Sequence, residues 1–92
     1  MFYTNMVPET PISLVLGSKT DDPSVLSGFS DDKLTITDSM GRTALHAAAY
    51  KGYVKILVML LNKFPSLKDE RDSTGKTPVH YAAGMEWEMS EP

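Results

Sequence analysis

Asp38-Ser39-Met40-Gly41-Arg42-Thr43-Ala44-Leu45-His46-Ala47-Ala48-Ala49 returns 34 residues later as Asp72-Ser73-Thr74-Gly75-Lys76-Thr77-Pro78-Val79-His80-Tyr81-Ala82-Ala83. Asp, Ser, Gly, Thr, His and the last two Ala recur in register, and Leu45 is answered by apolar Val79. Each part has a mechanical reading. Asp-x-x-Gly is a turn signature: the Asp side chain accepts a backbone N–H, and Gly suits the fourth position. Thr43 and Thr77 then suit helix N-caps. Pro78 falls at a first helical position, where its missing N–H costs nothing. A short helix is expected from about Ala44 to Tyr50, with an alanine face that lets a neighbouring helix approach closely.

Gly52 breaks that helix, because Gly suits the left-handed position after a C-terminus. A second helix is expected from about Tyr53 to Lys63, carrying Val54, Ile56, Leu57, Val58, Met59, Leu60 and Leu61. Such a run also fits a buried strand, but Leu and Met dominate its second half and Gly52 resets the chain before it. Apolar residues on most faces imply a helix sandwiched between neighbours. Pro65 ends it. The unit is turn, helix, loop, helix and extended return, and a fixed period of this length is the mark of a repeat architecture.

Thr77-Pro78-Val79-His80-Tyr81-Ala82-Ala83 and Thr43-Ala44-Leu45-His46-Ala47-Ala48-Ala49 resemble the T-P-L-H-x-A-A motif of ankyrin repeats. Gly52 and Leu60-Leu61 match that family's later Gly and Leu-Leu. The family period is 33, which places one extra residue in the loop around 64–70. The resemblance implies an all-α fold, a truncated solenoid of stacked helix-turn-helix units with short β-turn fingers. It also implies that Asp38, Gly41, Thr43, His46, Gly52, Asp72, Gly75, Thr77 and His80 are structural. Family members bind other proteins with their turn tips and the inner face of their first helices. Carried over residue by residue, that face comprises Ser39, Met40, Arg42, Ala47, Tyr50 and Lys51 in the full repeat. In the partial repeat it comprises Ser73, Thr74, Lys76, Tyr81 and Met85.

Working outward, Thr10-Pro11-Ile12 stands 33 residues before Thr43-Ala44-Leu45. There Ser13 replaces the motif His, Lys19 replaces Gly, and bulky Leu14 and Val15 fall where small residues belong. Asp22-Pro23 is suited to opening a second helix with Val25 and Leu26 buried, ending by Gly28. Two readings of residues 10–37 stand: a degenerate repeat serving as a cap, or a leader with an accidental Thr-Pro, behind a flexible stretch at 1–9. Lys33-Leu34-Thr35-Ile36-Thr37 alternates as an extended arm into the Asp38 turn, and Leu67 plays the matching part before Asp72. Residues 38–70 form the full repeat, 71–87 a partial one and 88–92 a tail. Glu86 stands where Gly is expected, and no second helix follows. The apolar side of Val79, Ala82 and Ala83 is then left without cover, although a repeat cannot bury its own face. Trp87 and Met89 are either a makeshift cap or a recognition hook. Self-association through the open face is a further expectation, and a truncated fragment or isoform without independent function is the rival reading.

Composition limits the function. The 92 residues suit one small domain of low intrinsic stability. A net charge of −3 without a basic run argues against nucleic acid as a partner. The lack of cysteine removes disulfides, thiolate metal sites and cysteine nucleophiles, and fits a reducing compartment. The Val54–Leu61 run is far short of the roughly 20 residues that span a bilayer, and the N-terminus lacks the basic start of a signal peptide. The expected location is intracellular, cytoplasmic or nuclear.

His46 and His80 share one slot of the repeat, which favours a structural role over a metal or acid–base site. Gly75-Lys76-Thr77 resembles the end of a phosphate loop, but Glu70 occupies the position of the required first Gly. No Gly-x-Ser-x-Gly elbow is present. The expectation is a non-catalytic module without cofactor or metal, binding a protein partner.

Overall fold

The computed structural model describes residues 10–87. Its central element begins at Thr43, whose hydroxyl accepts the backbone N–H groups of Leu45 and His46 at 3.2 and 3.4 Å. In return, His46 Nδ1 accepts the backbone N–H of Thr43 at 3.1 Å. Two donors that a helix start leaves over are thereby satisfied reciprocally. Helix α3 runs Ala44–Lys51 and ends on Gly52, which adopts a left-handed φ of 72°. Residues 44–49 are all buried. The helix is packed on three sides, by the helices at Pro11–Gly17, Val54–Lys63 and Pro78–Ala82, and its small alanines permit that approach.

Helix α4, Val54–Lys63, follows at once. Ile56 and Leu60 are fully buried on its inner side, while Val54 and Val58 face outward. Burying each of these two side chains contributes about 1.5–3 kcal/mol. Tyr53, at the N-cap, offers no side-chain cap. The cap comes from the N-terminal part of the chain: the Asp21 carboxylate accepts the N–H groups of Lys55 and Ile56 at 2.7 and 2.9 Å. The Tyr53 hydroxyl donates to the Ser18 carbonyl at 2.5 Å.

That N-terminal part is ordered as a small helical unit. Helix α1, Pro11–Gly17, is capped by Thr10, and Ser13 performs the reciprocal half of the cap that His46 performs in α3. The departure from the motif at Ser13 therefore preserves the local chemistry. Ile12 and Val15 are buried against α3. Asp22-Pro23 opens a 3-10 turn, Pro23–Leu26, that buries Leu26.

The alternation at Lys33–Thr37 does not give an extended arm throughout. Asp31–Leu34 forms a one-turn helix, α2, with two acidic residues in its first turn and Leu34 buried. Carboxylates suit the positive end of a helix, and Lys63 at the end of α4 lies 3.4 Å from Asp31. Pro65–Asp69 forms the matching 3-10 turn, burying Leu67. Leu34 and Leu67 stand 33 apart, whereas Asp38 and Asp72 stand 34 apart. The extra residue of the longer period therefore lies at 68–71.

Helix α5, Pro78–Ala82, closes the described fold and packs on α3. The elements are helices and turns, with no strand among the described residues. The all-α helix-turn-helix stack is the architecture present.

Candidate functional site

Two fingers project from the stack. In the first, Gly41 N–H donates to the Asp38 carbonyl at 2.9 Å, and Asp38 Oδ1 accepts the N–H groups of Met40 and Arg42 at 2.9 Å each. The second repeats the pattern, with Asp72 Oδ1 accepting from Thr74 and Lys76 at 2.9 Å each. The Ser73 N–H donates to the Met40 carbonyl at 2.7 Å, joining the fingers side by side. This approach explains Gly41: a Cβ there would sit 3.3 Å from Ser73 N.

His46 ties the same two units from below. Its Nδ1 accepts from Thr43, so the proton sits on Nε2, which donates to the Lys76 carbonyl at 3.0 Å. Burial holds its pKa below the usual histidine value, against the raising influence of the Lys76 carbonyl. Both ring nitrogens are engaged inside the stack, so the ring is not placed to act as a base or metal ligand. His80 repeats the cap to Thr77 at 2.9 Å but is exposed. No group of three His, Cys, Asp or Glu among the described residues is placed to hold a metal ion.

Tyr81 packs edge-on against His46 and donates its hydroxyl to Asp72 Oδ2. Burial works to raise the Asp72 pKa, but the Tyr81 hydroxyl and the N–H groups of Lys76 and Thr74 outweigh it and hold the carboxylate well below its usual range. Burial and the bond to Asp72 push Tyr81 up to about 12. The second finger is thus fastened to its own helix through an ionised Asp72 and a neutral Tyr81.

The residues carried over from the motif divide by exposure. Tyr50, Lys51, Thr74 and Met85 are exposed, and Met40 and Lys76 are half-buried. Ser39 and Ser73 are exposed at the turn tips. Arg42, Tyr81 and Ala47 do not lie on the open surface. Arg42 is 1% exposed, Tyr81 5% and Ala47 0%. Ala47 is enclosed within the centre of α3. Arg42 Nε pairs with Asp38 Oδ2 at 2.9 Å, an i, i+4 contact that draws the side chain back along its finger.

Trp87 lies against Arg42 and Tyr81. The Arg42 guanidinium carbon is 3.8 Å from the centroid of the indole ring. The Tyr50 and Tyr81 rings lie 5.6 and 5.5 Å from it. Trp87 therefore folds back onto the inner-helix side of the stack. It is not among the residues that line the apolar groove on the other side, formed by Leu45, Ala49, Leu57, Leu61, Lys68, Pro78, Val79 and Ala82. Val79, in that groove, is 68% exposed. Met89 lies outside the described residues.

Sequence reasoning missed Asp21, whose side chain caps a helix more than thirty residues away. Its only local signal is an acidic pair, Asp21-Asp22, which does not say which helix it serves.

A family model described as ankyrin repeats (3 copies) matches residues 16–88 of the chain. No curated protein and no solved structure matches it.

Proposed function

This chain belongs to the ankyrin-repeat family, and we propose that it is a non-catalytic module binding a protein partner through its fingers and the inner face of its first helices. The observation that carries this reading is the pairing of the two fingers. The Ser73–Met40 and His46–Lys76 bonds hold them in fixed register, so the exposed residues around them form one rigid surface rather than two independent loops. A pre-ordered surface avoids much of the ordering cost of association. Tyr50, Lys51, Thr74 and Met85 are its open positions, with Met40 and Lys76 half-open beside them. We read residues 10–37 as a degenerate first repeat, 38–70 as the full repeat and 71–87 as a partial one. The absence of cysteine is compatible with a reducing compartment, cytoplasm or nucleus. Among the described residues, no helix is long and apolar enough to cross a membrane.

The test is a partner screen followed by paired substitutions. Lys51→Glu with Thr74→Arg alters the finger face, and Lys55→Glu alters an exposed position of α4. All three positions are exposed, and circular dichroism of each variant should show the helical signal of the unsubstituted chain before binding is compared. Binding of a captured partner should fall at least about tenfold for the first pair and stay within about twofold for the second. The reverse pattern would move the interface elsewhere. The open Val79 groove favours a second reading, association of copies of the chain through that face. A sedimentation mass that doubles with concentration, and reverts to the monomer on Val79→Lys, would support it.

A further inference from the structure

We propose that Arg42, Tyr50 and Tyr81 form a seat for a tryptophan side chain, that Trp87 fills it in the free chain, and that a partner enters by presenting its own tryptophan on an extended acidic segment. This rests on the protein-binding reading and names the partner chemistry for part of that surface. Three independent features converge on the indole. A guanidinium lies 3.8 Å from the centroid of its ring, within cation–π range. Two tyrosine rings meet it at 5.6 and 5.5 Å with tilts of 48° and 54°, within the span of favourable aromatic pairs. Arg42 and Tyr81 are themselves fixed, by Asp38 and Asp72 respectively, so the seat is built by the first finger and the helices α3 and α5, not by the segment that occupies it.

That segment is lightly held. The chain leaves α5 at Ala82 and reverses at Gly84, whose φ of 114° favours glycine. Met85 N–H donates to the His80 carbonyl at 3.3 Å. Beyond Met85, no backbone hydrogen bond holds Glu86 or Trp87 among the described residues. Among the described residues their attachment is the Trp87 side chain, which an equivalent side chain from outside can replace. In sequence, Trp87 is flanked by two acidic residues, Glu86 and Glu88. Glu86 lines a small cavity with Lys76 beside Tyr81. Lys76 supplies a cation on that cavity, which favours a carboxylate next to the incoming tryptophan. Four of the residues carried over as partner-facing, Arg42, Tyr50, Tyr81 and Met85, lie at or beside this seat. Trp87 lies against the buried two, Arg42 and Tyr81.

The experiment uses the full chain grown with 5-fluorotryptophan. Trp87 is its single tryptophan and gives one fluorine resonance. The probe is the peptide acetyl-Gly-Met-Glu-Trp-Glu-amide, with acetyl-Gly-Met-Glu-Ala-Glu-amide as control. The tryptophan peptide should move the Trp87 resonance to its unfolded-chain position and shift the rings of Tyr50 and Tyr81, and the alanine peptide should do neither. If Trp87 fills the seat nine-tenths of the time, Trp87→Ala binds the peptide about tenfold more tightly than the unsubstituted chain. Should Trp87→Ala fail to fold, displacement of the fluorine resonance in the unsubstituted chain decides alone. An unmoved Trp87 resonance at saturating peptide overturns the proposal, as does a folded Trp87→Ala chain that binds no more tightly. A partner whose binding is lost on Lys51→Glu with Thr74→Arg, yet leaves the Trp87 resonance in place, removes the seat and retains the binding module.

Discussion

Gly41 and Gly75 occupy the same place in two copies of one turn, with φ values of 77° and 86°. A side chain in that backbone conformation costs about 1–2 kcal/mol. At Gly41 an added Cβ also meets Ser73 N at 3.3 Å and Asp72 Cα at 3.4 Å, whereas at Gly75 nothing lies within 4 Å. Gly41→Ala should therefore destabilise more than Gly75→Ala, and urea midpoints of the two variants check the order. His46 supplies a pH dependence of known sign. Its folded pKa is lowered by burial, so the unfolded chain binds the extra proton first. The stability it contributes is present above the unfolded value of about 6.5 and is lost as pH falls through the folded one. Urea midpoints should drop between pH 7.5 and 5.5. His46→Gln should flatten that slope; a slope that survives the substitution would assign it to another group. The roles of Thr43 as a cap and Asp38 as the turn acceptor were legible in the sequence because every partner lies within four residues, whereas His46 was legible only as a structural position. The burial of Arg42 and Tyr81 was not, because Trp87 reaches Arg42 from 45 positions away.

Between elements, the main surprise is how α4 starts. Tyr53 does not cap it, and Asp21 does so from the N-terminal unit. Removing a capping carboxylate costs about 0.5–2 kcal/mol. Asp21→Ala should lower the thermal midpoint accordingly, and Asp22→Ala should cost less, because Asp22 caps only the exposed 3-10 turn through Ser24. Equal losses would show that α4 does not depend on that carboxylate. Inside α4, Leu60→Ala removes a fully buried side chain and should cost about 2–5 kcal/mol. The extents of α3 and α4 were readable from Gly52 and Pro65, which punctuate the chain on either side of α4. The helical turn at Asp31–Leu34 was not. Its residues alternate as an arm would, and only the packing of Leu34 with the pairing of Asp31 to Lys63 decides for a turn. The Ser13 departure misled in the other direction, because a different side chain makes the same cap.

At the scale of the molecule, α3 is the keystone: α1, α4 and α5 all pack on it. One side of the stack is covered by the N-terminal unit. The other carries the apolar groove around Val79, while Trp87 lies on the inner-helix side. A chain of 92 residues buries a modest share of its surface, so it has little reserve, and the fingers keep their register only if the stack folds as one body. The most direct measurement is urea unfolding at several protein concentrations, followed by far-ultraviolet circular dichroism and Trp87 fluorescence together. The predicted result is a single shallow transition of the helical signal, independent of concentration, with the Trp87 signal changing no later than the helices because its seat is part of the stack. No cooperative transition of the helical signal, or one that sharpens with concentration, would contradict a rigid, self-supporting binding surface.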